Sequence, residues 1–291
     1  MIWLVTLLAP AELSAADPRA RSILYLDQSD LRGPFYFQIF SALRAEVSAG
    51  SAPHVTLFAE DLDLSRFESD AYKATLRQLL KEKYRDNQIG IIVAVGAATL
   101  ELVLKWRSEL WPDIPIVFAM VEKSDFDRLK PPSDVTGNIV QVRLADAIRT
   151  ARAAVPDLKS IVIVGGAWEH QVVFGNWKEE IQSAAAGLEV IDLAGLPMAE
   201  TRERVAALPM DSAIIYSASY ADSDGRFYPP FMALSLIAEK ANRPIVVASE
   251  TFLAPGGLGG YVLLPGVMGA EAAKLALRIL DGEPPDRKSV V

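Results

Sequence analysis

Groups of polar, aromatic and small residues stand at the ends of apolar runs in this chain, and they carry what chemistry the sequence offers. Asp27 and Ser29, with Asp30, follow the run 23–26. Gly96, Ala97 and Thr99 follow the run 89–95. Trp168 and Glu169 follow 161–164. Ser217, Ser219, Tyr220 and Asp222 follow 212–216, and Ser249, Glu250 and Thr251 follow 244–248. Tyr36 stands near the start of an amphipathic stretch after the first run. These hydroxyls, carboxylates and rings include no evident nucleophile–base pair. They suit hydrogen bonding and ring stacking in a dry cleft. The ligand-binding set expected from sequence is Asp27, Ser29, Tyr36, Gly96, Ala97, Thr99, Trp168, Glu169, Ser217, Ser219, Tyr220, Asp222 and Glu250.

Other chemistries lack their signatures. No Gly-x-Gly-x-x-Gly follows an apolar run, and there is no Gly-x-x-x-x-Gly-Lys-Ser/Thr. The glycines at 256, 257, 259 and 260 read as a flexible turn into an extended segment at 261–264. No Gly-x-Ser-x-Gly elbow is present. Asp222-Ser223-Asp224-Gly225 begins like a calcium loop, but Arg226 occupies the next ligand position and the closing Glu is missing. With no cysteine there are no disulfides, thiolate metal sites or cysteine nucleophiles. The two histidines, His54 and His170, leave little for acid–base work near neutral pH. No cofactor or metal is expected, and the chain does not read as an enzyme.

The runs that present these groups have a common grammar. Residues 91–95 are continuously apolar and mostly β-branched, as in a strand buried on both faces. Gly96-Ala97-Ala98 then feeds a helix that Thr99 is placed to cap. Helix N-termini carry unpaired N–H groups, so this turn could receive a polar or anionic group. Strands are expected at 22–27, 54–58, 89–95, 114–120, 138–142, 160–164, 188–193, 212–217 and 244–248. Helices are expected at 35–47, 71–84, 99–106, 144–154, 174–185, 201–208, 228–241 and 269–280. In the first helix Phe37, Phe40, Leu43 and Val47 form the expected core stripe. In the second, Leu76, Leu79 and Leu80 do. Asp61 and Asp63 read as a solvated cap region. Alternating strands and helices imply parallel sheets covered on both faces, with ligands at the strands' carboxyl ends.

The chain has 291 residues, 51% of them apolar, and a net charge of −8. That is room for two medium domains, and it gives no basic footprint for nucleic acid. Residues 2–10 are apolar, and Ser14-Ala15-Ala16 resembles a small-residue cleavage site. Residues 1–16 therefore read as an export leader without its basic start. No later run reaches the roughly 18 apolar residues of a membrane span. The Pro- and Gly-containing stretch 130–137 reads as a boundary. It divides an N-terminal lobe at 17–137 from a C-terminal lobe at 138–266, with a helix at 267–282 and a tail at 283–291. The missing basic start and the abrupt end point to an excerpt of a longer chain.

The stretches 211–222, 242–248 and 257–285 carry a resemblance. They read Asp-Ser-Ala-Ile-Ile-Tyr-Ser-Ala-Ser-Tyr-Ala-Asp, Asn-Arg-Pro-Ile-Val-Val-Ala, and a third that runs from Gly257-Leu258-Gly259-Gly260-Tyr261 through Leu264-Pro265-Gly266 to Gly282-Glu283-Pro284-Pro285. They resemble the ABC-transporter substrate-binding family with the type I periplasmic-binding-protein fold, a group that includes tryptophan- and tyrosine-type binding proteins. The 135–138 segment and the Gly96–Thr99 turn fit the same pattern. The resemblance implies two Rossmann-like α/β lobes with parallel sheets, a ligand cleft between them and hinge closure. It also implies that the last helix packs back on the first lobe.

The expected function is extracytoplasmic, periplasmic binding of a small molecule, aromatic or amino-acid-like, for an ABC permease. The family also occurs as the sensor region of membrane histidine kinases, so a fused or partner kinase is the alternative reader of the closed shape. An enzyme using the same cleft is the rival from another class. A transcription-factor effector domain is disfavoured by the leader and by the lack of an N-terminal helix-turn-helix.

Overall fold

The computed structural model describes residues 20–29, 33–50, 54–170 and 174–285. The expected leader at 1–16, Asp30 and the tail beyond 285 lie outside the described residues.

Nine strands and nine α-helices alternate along the described chain. The first unit is β1 (Ser22–Asp27), α1 (Pro34–Ala49), β2 (Thr56–Asp61), α2 (Asp70–Lys83), β3 (Ile91–Val95), α3 (Ala97–Leu110), β4 (Ile116–Glu122), α4 (Lys123–Leu129) and β5 (Val135–Val140). Its sheet is parallel throughout, in the order β2-β1-β3-β4-β5. The second unit is α5 (Leu144–Ala154), β6 (Ser160–Val164), α6 (Trp177–Ala184), β7 (Glu189–Asp192), α7 (Met198–Val205), β8 (Ser212–Tyr216), α8 (Pro230–Ala238) and β9 (Ile245–Val246). Its sheet is also parallel, in the order β7-β6-β8-β9. The chain ends its described part in α9 (Pro265–Leu280). This is an α/β fold of two parallel sheets.

Central strands are buried at every position, because helices cover both faces of each sheet. One face of the first sheet packs Leu24, Ile92 and Phe118 against α2 and α3 through Leu80, Leu100 and Val103. The other packs Ile23, Val93 and Val117 against α1 and α9. Helix α9 lies along α1 and reaches β3, β4 and β5, so the last described helix completes the first unit's core. Gly269 makes that contact possible. A Cβ there would stand 2.0 Å from the Ile39 carbonyl oxygen of α1.

The structure shifts several expected details. Residue 137, the expected end of the first lobe, lies within β5, which pairs with β4. Helix α4 between β4 and β5 was not anticipated. The core face of α1 is Tyr36, Ile39 and Leu43, while Phe37 is 54% exposed. Leu79 of α2 is exposed as well, since Leu76 and Leu80 alone point inward. Residues 261–264 do not form a strand. Only the bridges Leu258–Val246 and Leu263–Ser249 tie that return segment to the second sheet's edge. Helix α3 begins at Ala97 with Gly96 as its cap residue, so Thr99 lies inside the first turn instead of capping it.

Candidate cleft between the two sheets

The carboxyl ends of both sheets face one cleft, and its residues come from both units. It has two adjoining chambers, the more apolar of which is termed inner and the more polar outer. The inner one, of about 240 Å³, is lined from the first unit by Gln28, Ser29, Phe35, Tyr36 and Met120. From the second come Phe174, Ala218, Tyr220, Phe227, Pro229, Pro230, Phe231, Ser249, Thr251, Phe252 and Leu263. The outer one, of about 590 Å³, is lined by Leu64, Ser65, Arg66, Glu68 and Ala98 on one side and Gly166, Ala167, Ala221, Asp222 and Ser223 on the other. Gln28, Tyr36, Ala218 and Tyr220 border both chambers.

A short chain of hydrogen bonds separates them. Parallel pairing puts Asp27 of β1 beside Val95 of β3. The next residues, Gln28 and Gly96, are therefore neighbours. Gly96 has φ of 90°, and a Cβ there would sit 2.1 Å from Gln28 Oε1. Glycine thus admits the Gln28 amide to the start of α3, where Oε1 accepts from the Ala98 N–H at 3.2 Å. Gln28 Nε2 donates to the Tyr36 hydroxyl oxygen at 3.0 Å. That leaves the Tyr36 proton on the side of the cleft where Tyr220 stands, and the two phenols interact across it.

Burial holds these phenols neutral. It is the main cause that pushes Tyr36 well above the ordinary phenol range, helped by Tyr220 and Asp27. It pushes Tyr220 up to about 12, with the Tyr36 hydroxyl opposing. Beneath them Asp27 is fully buried. Its Oδ2 accepts from the Tyr25 hydroxyl at 2.7 Å and its Oδ1 from the Ser29 N–H at 2.9 Å. Asp27 therefore shapes the β1 exit loop from behind the chamber wall.

Two more contacts cross the cleft. Asn176 Nδ2, at the start of α6, donates to Glu122 Oε2 at 3.0 Å and to Ser124 Oγ at 2.9 Å. The Arg66 guanidinium stands 5.8 Å from the Phe227 ring centroid. The backbone is strained at two lining positions. Met120 and Ala218 have φ of 57° and 59°, in the left-handed region. Such strain gathers at functional sites, where surrounding structure enforces it.

Of the expected residues, Ser29, Tyr36, Tyr220 and Asp222 line the cleft. Asp222 does so with its carboxylate turned to backbone. Oδ1 accepts from the N–H groups of Asp224 and Arg226, and Oδ2 from that of Met198 at the start of α7. Gly96 and Ala97 lie behind Gln28, which fills the turn meant for a ligand. Thr99 is buried, and its hydroxyl finds no partner among the described residues. Trp168 points away from the chambers and donates to Asp192 Oδ2 at 2.8 Å, while the exposed Glu169 faces Lys178 at 3.9 Å. Ser217 is buried against Gly165. Ser219 serves its own loop, with Tyr216 and Ala221 as partners. Glu250 sits in the turn between two lining residues and lines neither chamber.

Gln28, Met120, Phe174 and residues of the ring-rich stretch 227–231 also line the cleft, outside the expected set. Gln28 is identifiable once the β1–β3 register is known, and Tyr-Pro-Pro-Phe at 228–231 is a ring cluster visible in the sequence itself. Among the described residues no cluster of metal-ligating side chains occurs, and no helix is long and apolar enough to cross a membrane.

Residues 60–291 match the family described as ABC transporter substrate binding protein. The chain belongs to that family. No curated protein matches it in sequence. Solved structures share the fold at low identity. An ABC domain from Streptococcus pneumonia in complex with L-Trp is 16% identical, with TM-score 0.65, over 93% of this chain and 88% of that one. An ABC transporter solute binding protein from Bacillus halodurans with bound myo-inositol is 13% identical, with TM-score 0.61, over 94% and 93%. The trehalose repressor of Escherichia coli is 15% identical, with TM-score 0.60, over 93% and 98%. In this substrate-binding family member the fold is thus of the type I periplasmic-binding-protein kind. Neighbours as different as a solute binder and a repressor leave the ligand to be argued from the cleft.

Proposed function

We propose that this family member is a non-catalytic, extracytoplasmic solute-binding protein whose two lobes, one built on the β1–β5 sheet with the final helix and one on the β6–β9 sheet, close over a small molecule. An ABC permease would read the closed shape for uptake. The observation that carries this reading is the cleft itself: both sheets contribute its walls, and three contacts bridge them. A ligand there touches both lobes, so it favours the closed arrangement by its extra contacts in that state. The expected Tyr36 and Tyr220 are the central ligand-facing pair. The apolar leader pattern at 1–16 supports export. The carboxylates Asp27 and Asp222 support binding over turnover, because both accept hydrogen bonds from the protein's own donors.

A melting-temperature screen tests this reading. The panel holds amino acids, aromatic acids and amides, purines, sugars and short peptides. A saturable rise with one class, with the compound recovered unchanged, is the expected result. Recovery of an altered compound would move the case to an enzyme. No rise with any class would sink the binder.

A further inference from the structure

We propose that the inner chamber takes an uncharged, ring-bearing molecule, held by stacking and neutral hydrogen bonds instead of ion pairs. This rests on the solute-binding reading and names its ligand class. Rings enter the chamber from both lobes: Phe35 and Tyr36 from the first, Phe227, Phe231 and Phe252 from the second. Opposed rings favour a planar aromatic body between them. The polar groups on the wall are amide and hydroxyl: Gln28, Ser29, Tyr36, Tyr220, Ser249 and Thr251. Among the described lining residues none is Asp, Glu, Lys, Arg or His.

Three of the described charged side chains nearby are engaged, while Glu68 of the outer chamber is exposed to solvent. Asp27 sits behind the wall, hydrogen-bonded to Tyr25 and Ser29. In the outer chamber Arg66 grips Asp63 and lies over Phe67 and Phe227. Asp222 accepts three backbone N–H groups. An ionised ligand group brought into the inner chamber would lose its hydration without gaining a counter-charge from the described lining residues, which opposes binding strongly. A hydroxyl or amide on the ligand loses little, because the Tyr36–Tyr220 pair and the Ser249–Thr251 pair can each donate and accept. The Tyr36 and Tyr220 hydroxyls remain protonated across the physiological range, which keeps these donors neutral.

The test is calorimetry at neutral pH on the whole chain with four probes that share one ring system: indole, indole-3-acetamide, indole-3-acetate and L-tryptophan. Indole-3-acetamide is expected to bind at least ten-fold more tightly than the acetate and the zwitterion, with indole between. Phe227→Ala, at a half-exposed ring, is expected to weaken the amide at least three-fold. Equal or tighter binding of L-tryptophan or the acetate overturns the proposal and leaves the solute binder standing. Binding of the amide that ignores Phe227→Ala also overturns it, because the ligand is then elsewhere. Failure of all four probes overturns the ring-bearing class. The binder itself stands or falls separately, on the broader melting screen.

Discussion

Gln28 is the residue on which the cleft's polar order depends. It joins the first turn of α3 to Tyr36, and through Tyr36 to Tyr220 on the other lobe. Gln28→Ala strands the Ala98 N–H and removes the donor to Tyr36. Two hydrogen bonds at about 1 kcal/mol each put the expected loss near 2 kcal/mol, read as a lowered urea midpoint with an unchanged slope. The buried phenols predict a pH effect of fixed sign. Tyr220 titrates at an ordinary phenol value near 10 when unfolded and at about 12 when folded. Below pH 10 both states hold the proton and stability is flat. Above it the unfolded chain releases the proton first, so stability falls as pH rises toward 12, by about 1.4 kcal/mol per unit for each such group. Urea titrations between pH 9 and 11.5 should show this fall, and Tyr220→Phe should make it shallower. A slope unchanged by the substitution would mean that Tyr220 is not held neutral.

At the scale of elements, the contact between α1 and α9 ties the end of the described chain to its beginning. It depends on Gly269, where the backbones meet at Ile39. Gly269→Val should force the helices apart. Overpacking of this kind costs about 1–3 kcal/mol, and more is expected here because the obstacle is backbone. The readout is a lowered melting temperature, with Gly266→Ala, which meets nothing within 4 Å, as the tolerant comparison. Why elements were legible to different degrees follows from packing. β3 and β6 are buried on both faces, so their apolar runs announce them. Helix α4 has no buried residue and leaves no periodic signal. In α1 the sequence offers two apolar stripes, one through Phe37 and one through Ile39. Only docking on β1 and α9 decides that Phe37 faces water. Residues 258–263 look like a strand locally, yet they meet the sheet edge at two bridges alone.

For the whole molecule the proposed function turns on opening and closing of the cleft. Asn176 spans it by donating to Glu122 and Ser124. Asn176→Ala removes that tie. At about 1 kcal/mol, the loss shifts the balance toward the open form roughly five-fold. Small-angle scattering of the unliganded protein should then give a larger radius of gyration than the parent. An unchanged radius would mean that the tie does not hold the cleft shut.

The residues by themselves determined the α/β character, the two parallel sheets and the strand-end location of the polar groups, because hydrophobic runs and turn residues act over short stretches. The family resemblance lay in local patterns too, at 211–222 and 257–285. Which strand-end groups line the cleft was decided only in three dimensions. Tyr36 and Tyr220 are 184 positions apart and meet because two sheets turn their carboxyl ends toward each other. Gln28 plugs the Gly96 turn because β1 and β3 pair in one particular register. Trp168 and Glu169, equally well placed in sequence, turn to Asp192 and Lys178 instead. A polar side chain is satisfied by whichever partner the tertiary fold brings near it, and that partner is not written in its own neighbourhood of the chain.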